Sequence, residues 1–130
     1  MAMINTLDDL HFDNSFVREL PADPELKNFR RQVRGACFSR VDPTAVSGPS
    51  LVSISAEAAA LFDLSADGLD TKRFAEVMSG NAMIDGMEPY AACYGGHQFG
   101  NWARQLGDGR AISLGEVVNG AGERWEMQLK

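Results

Sequence analysis

The chain has 130 residues, with 12 Lys and Arg against 18 Asp and Glu, and so a formal net charge of −6. That length suits one domain, which buries roughly two-thirds of the surface its unfolded chain exposes. An apolar fraction of 45% and a charged fraction of 23% exclude wholesale disorder. The acidic balance argues against a nucleic-acid partner or an anionic membrane surface. No apolar run approaches the ~20 residues of a membrane helix. Asp8 and Asp9 stand where a targeting leader would carry Lys or Arg, so a cytoplasmic chain is expected.

Residues 1–30 hold isolated apolar positions, Leu10, Phe12, Phe16, Val17 and Leu20, broken by Pro21 and Pro24. They read as a short helix or an extended arm that packs on something else. Ala36–Val41 and Leu51–Ile54 are short strand candidates on either side of a turn-rich stretch. Ser55 is placed to cap a helix over Ala56–Phe62, because its side-chain oxygen can accept from an otherwise orphaned amide. Asp70 is placed to cap a second helix over Thr71–Ser79. Phe74, Val77 and Met78 recur there at helical spacing, and Gly80 follows where helices stop.

The composition changes near residue 90. All five prolines lie before it, and eight of the 13 glycines lie after it. Residues 1–90 carry 8 basic and 14 acidic side chains, whereas residues 91–130 carry 4 of each. The expectation is an N-terminal extension over 1–90 and a differently built β-rich segment over 91–130. In the latter, Phe99–Leu106 is a strand candidate that reaches Arg110–Val118 through the tight turn Gly107-Asp108-Gly109. Glu123–Lys130 alternates, with Trp125, Met127 and Leu129 on one face and Arg124, Glu126, Gln128 and Lys130 on the other. Asn119-Gly120-Ala121-Gly122 is a hairpin connection between these two strands. The fold class expected is α+β, with an antiparallel sheet and a few short helices.

Cys37 and Cys93 could form one disulfide by count, but the leaderless acidic chain points to reduced, buried thiols. His11 and His97 are the two histidines, and no CxxC, HExxH or paired-His spacing suggests a metal site. Tyr94–Gly100 is a glycine cluster that reads most simply as a loop. His97 within it has no visible partner for general-base chemistry.

The turn containing Gly107 and Gly109 is the chemically suggestive element. Glycines allow close backbone approach to a ligand, and turned N–H groups can face phosphate oxygens. Arg110 adds a guanidinium, which pairs with phosphate through two parallel hydrogen bonds. Lys130 follows on the polar face of a later strand. A glycine turn followed by a strand lysine holds nucleotide phosphates in kinase-like lobes. By itself G-x-G is far more often a hairpin turn, and the full G-x-G-x-x-G is absent because position 112 is Ile.

The stretch YGGHQFGNWARQLGDGRAISLGEV, followed by GERWEMQLK, resembles the N-terminal part of the SelO family. The earlier NSFVRELPADP and Arg40-Val41-Asp42-Pro43 resemble the opening region of that family. The resemblance implies an incomplete protein-kinase-like N-lobe from a protein adenylyltransferase. Such an enzyme binds ATP in a flipped orientation, with magnesium, and moves AMP to Ser, Thr or Tyr hydroxyls of protein substrates. It also implies that Gly107, Gly109 and Arg110 contact the nucleotide and that Lys130 binds phosphate. The catalytic base and the magnesium ligands are expected beyond these 130 residues, so the segment alone is expected to be inactive. The alternative is a non-catalytic module that binds a nucleotide weakly or serves as a protein-interaction surface.

Overall fold

The computed structural model describes residues 2–106 and 111–130. The architecture is α+β with antiparallel sheets and short helices, consistent with a partial kinase-like N-lobe. The helices are α1 (Ser15–Glu19), α2 (Ala56–Ala60) and α3 (Thr71–Met78). The strands are β1 (Phe38–Arg40), β2 (Tyr90–Ala92), β3 (Tyr94–Gln98), β4 (Asn101–Leu106), β5 (Ile112–Val118) and β6 (Arg124–Leu129). Four of them form one antiparallel sheet in the order β1-β2-β5-β6, while β3 and β4 form a separate two-stranded ribbon. Strands from both sides of residue 90 therefore share one sheet.

Local chemistry sets the helix starts. The Ser55 side chain accepts from the Ala58 amide at 3.1 Å. One Asp70 carboxylate oxygen accepts from Lys72 and Arg73 at 3.0 and 3.2 Å. Each cap satisfies amides that a first helical turn leaves without partners. Both helices bury one face, through Ala59 and Val77, against Leu114 and Val117 of β5 and Met127 of β6. The β6 alternation holds as expected: Met127 is buried, Trp125 and Leu129 are half-buried, and Arg124, Glu126 and Gln128 are exposed. In the 119–122 connection, the Asn119 side-chain oxygen accepts from Ala121 and Glu123, and Gly122 takes φ +79°.

The N-terminal arm completes the sheet. Phe12 bridges Val117, and the Asp13 and Val118 amides donate across to Glu116 and His11. Farther along, residues 21–23 cover the outer edge of β1 through Cys37 N–H to Pro21 and Asp23 N–H to Phe38, both at 2.8 Å. The chain thus blunts a sheet edge that would otherwise invite pairing with another molecule. Val17, Phe38 and Tyr90 form a smaller core there, with the Phe16 and Tyr90 rings stacked at 4.8 Å.

Three expectations are corrected. Leu51–Ile54 is not a strand: among the described residues no ladder partner reaches it, Val52 is 96% exposed, and of these four Ile54 packs on the core. Tyr94–Gly100 is not a loop, because Tyr94–Gln98 is strand β3 and pairs with β4. One of the glycines that suggested a loop makes room for an aromatic ring: a Cβ at Gly95 would lie 2.4 Å from Trp102. The strand expected over Phe99–Leu106, observed as β4, pairs backwards onto β3 rather than forwards onto β5. Phe99 and Gly100 both take positive φ, the geometry that closes a two-residue hairpin.

Gly115 marks the irregularity in β5. The register slips between Ser113 and Gly115, and Gly115 takes φ +154°. A Cβ there would meet the Phe12 ring at 2.8 Å and the Asn14 side-chain oxygen at 3.0 Å. Gly115→Ala should therefore destabilise the fold by about 1–3 kcal/mol, outweighing the roughly 0.4–1 kcal/mol gained by restricting the unfolded chain. Urea denaturation measures the balance, and an unchanged midpoint would refute the bulge as the point where arm and sheet meet.

Candidate functional site

The β5–β6 hairpin positions the one described residue of the expected nucleotide site. Ile112 pairs with Leu129, so Lys130 leaves the sheet at the end where β5 begins. Lys130 is exposed, while Met127 and Leu129 of the same strand belong to the helix-covered core. Its ammonium group is available to an anion without disturbing packing. Gly107, Gly109 and Arg110 lie outside the described residues. His97 sits edge-on against Trp102 at 5.2 Å. Among the described residues no carboxylate is hydrogen-bonded to it, so nothing orients it as a base.

Sequence reasoning missed Glu116, the charged residue inside the apolar strand ISLGEVV. By alternation its side chain faces away from Val117, and there it meets α1. The Ser15 hydroxyl donates to both carboxylate oxygens at 2.8 Å, and the Phe16 amide donates to one at 3.1 Å. The Glu116 amide donates to the Asn14 side chain at 3.0 Å. Arg124 lies 3.7 Å from the carboxylate and reaches Asp13 at 2.7 Å, while Arg18 holds the other Asp13 oxygen at 2.8 Å. The hydrogen bond from Arg18, then that from Arg124, keeps the Asp13 carboxyl below its ordinary value. The available signal was a lone acid in a strand buried on both faces; such an acid needs donors close by.

Two further groups near β2 are perturbed. Burial pushes the Tyr90 hydroxyl up, and Glu126 stands 3.5 Å from it. Burial likewise raises the Cys93 thiol, which disfavours its thiolate. Cys37 and Cys93 are both free. Among the described residues no group of three or more His, Cys, Asp or Glu could hold a metal. No helix among them is long and apolar enough to cross a membrane.

Residues 27–130 match the family described as Protein adenylyltransferase SelO. The chain belongs to the SelO family. It is 66% identical over 121 residues to a protein nucleotidyltransferase YdiU of Azoarcus sp. (strain BH72), covering 93% of this chain and 23% of that protein. A protein nucleotidyltransferase YdiU of Methylobacillus flagellatus is 60% identical with the same coverage of both chains. The corresponding protein of Rhodopirellula baltica is 59% identical over 122 residues, 94% of this chain and 23% of its own length. The chain spans less than a quarter of the length of these relatives. The SelO match includes Gly107, Gly109, Arg110 and Lys130.

Glu116→Ala should destabilise the fold by about 2–4 kcal/mol, because it strands the Ser15 and Phe16 donors and leaves Arg124 undercompensated. Loss of arm packing should accompany it, read as faster hydrogen exchange at residues 11–17; unchanged exchange would count against this tie. Asp13 adds a pH signature. Its folded-state pKa is lowered from 3.8, so its contribution is present above that value and lost as pH falls through the lowered one. Asp13→Asn should therefore be less stable than the parent at neutral pH, with the gap closing in acid. A gap that stays constant down to low pH would refute the Arg18 and Arg124 pairing as its cause.

Proposed function

We propose that these residues form the front of the nucleotide-binding lobe of an enzyme that transfers AMP from ATP to Ser, Thr or Tyr hydroxyls of proteins. Family membership across residues 27–130 carries the reading, and the exposed end position of Lys130 supports it. In this reading residues 1–90 pack as an extension on the start of the lobe at 91–130.

Among the described residues of the expected site, Lys130 suits a phosphate contact. Lys130 directly follows β6, whose Met127 and Leu129 pack in the core. A cation held this way loses little conformational freedom on meeting a phosphate. Its task is to offset negative charge on the phosphates and hold them in line for attack by the acceptor oxygen. The amides of Gly107 and Gly109 and the Arg110 guanidinium would add donors to the same anion. Magnesium, when bound, neutralises phosphate charge; its ligands are expected in other parts of the protein.

In a family-length protein, Lys130→Ala should abolish AMP transfer while leaving the melting temperature unchanged. Labelled ATP with a protein acceptor reads the transfer, and near-normal labelling would reduce Lys130 to a surface lysine. Arg110→Ala should weaken ATP binding by roughly 1.5–3 kcal/mol, the scale of a charge-assisted hydrogen bond. Replacing Gly107 and Gly109 with Ala should weaken ATP binding more than it lowers stability. Calorimetric titration beside a melting curve separates a phosphate turn from a mere connection, which would show lowered stability and intact affinity. The 130 residues alone should transfer no AMP.

A further inference from the structure

The second chemically distinctive feature lies at the opposite edge of the sheet from Lys130. Strand order places β1 and β6 at the two edges, three strand spacings or roughly 14 Å apart. Against β1 opens a cleft of about 590 Å³, walled by residues 27–33, by β1 and β2, and by the end of β4. Lys27, Arg30, Arg31 and Arg40 line it, and no Asp or Glu does among the described residues. The cause is visible in the sequence: residues 27–41 hold five of the 12 basic side chains and no acidic one, in a chain of net charge −6.

The cations differ in their duties. Arg31 is structural: it pairs with Asp23 and donates to the Lys27 and Phe29 carbonyls, so that the loop curls around it. Arg40 pairs with Glu88 at 3.3 Å, but both side chains are more than two-fifths exposed. Such a pair is worth little, and an incoming carboxylate can exchange into it. Lys27 is exposed on the rim. The far wall is held by the Gln105 side chain, which donates to the Val33 carbonyl at 2.6 Å and accepts from the Val33 amide at 2.8 Å. Between these walls Val33, Val41, Ala91 and Leu106 supply apolar surface beside Ser39 and Cys93. Phe29, 53% exposed, stands at the mouth.

We propose that this cleft docks an acidic, partly apolar segment of a partner polypeptide. Cations on the rim match its carboxylates, and the apolar floor takes the side chains between them. A long polyanion is disfavoured, because beyond a Debye length of about 8–10 Å it meets an acidic molecule. The proposal stands apart from the transferase reading, since binding is measured on the chain itself.

The test is fluorescence anisotropy with a labelled peptide in which Asp and Glu alternate with Leu and Phe. Three comparisons accompany it: the same peptide with every acid replaced by its amide, inorganic pyrophosphate, and a single-stranded oligonucleotide. The acidic peptide should bind at low salt and be released as salt rises, and the amide peptide should not bind. K27E combined with R40E should weaken binding at least about tenfold, the scale expected for rim and partly buried charge pairs together. The melting temperature of that variant should stay within a few degrees of the parent, because both side chains are exposed. If the double reversal unfolds the chain, Lys27→Gln, which keeps the Arg40–Glu88 pair, should weaken binding in the same direction. Absent binding at low salt, equal binding of the amide peptide, or unchanged affinity in the folded variants would overturn the proposal. Displacement of the peptide by pyrophosphate or the oligonucleotide at equal or lower concentration would overturn it as well, reassigning the cleft to phosphate.

Discussion

The Glu116 carboxylate is the joint on which the arrangement turns. A carboxylate in the middle of a buried strand is tolerated only when donors meet it, and among the described residues these are Ser15, Phe16 and Arg124. Satisfying one buried charge therefore fixes where a segment a hundred positions away must lie. The bulge at Gly115 makes this possible by bringing Phe12 and Asn14 against the strand. Once the arm is seated, Phe16 and Val17 close the second face of the sheet over Phe38 and Tyr90.

The two faces of the sheet are thus closed by different means. One is covered by α2 and α3 chiefly through apolar burial, which is tolerant of modest changes in side-chain shape, with Asn119 and Gly120 donating to Leu61 and Asp63 at its margin. The other is held by directional hydrogen bonds and ion pairs, which specify register more strictly. The arm then runs on to cover β1, so the same segment that satisfies Glu116 also ends the sheet. Its continuation, residues 27–33, builds one wall of the cationic cleft. Lys130 and that cleft consequently lie toward opposite edges of one sheet.

The separate β3–β4 ribbon differs in kind. Tyr94, Phe99 and Trp102 are exposed on it, and beside its backbone ladder Trp102 lies across Gly95 and edge-on to His97. A two-stranded ribbon has little stability of its own. It follows β2 directly in sequence and precedes residues 107–110.

Several features were legible from sequence because they depend on neighbours only a few positions away. The Ser55 and Asp70 caps, the Asn119–Gly122 connection and the β6 alternation that exposes Lys130 all belong to this class. So did family membership, since it rests on long unbroken motifs around Gly107–Arg110 and Lys130. Tertiary structure decided the rest. Whether Leu51–Ile54 became a strand depended on a partner that never arrives. Whether β4 paired forwards or backwards depended on Phe99 and Gly100 accepting positive φ and on Trp102 fitting over Gly95. The role of Glu116 and the gathering of Lys27 and Arg40 around one cleft required contacts across tens of residues. Periodicity and capping encode local geometry, whereas a buried charge and a cleft exist only once distant segments have met.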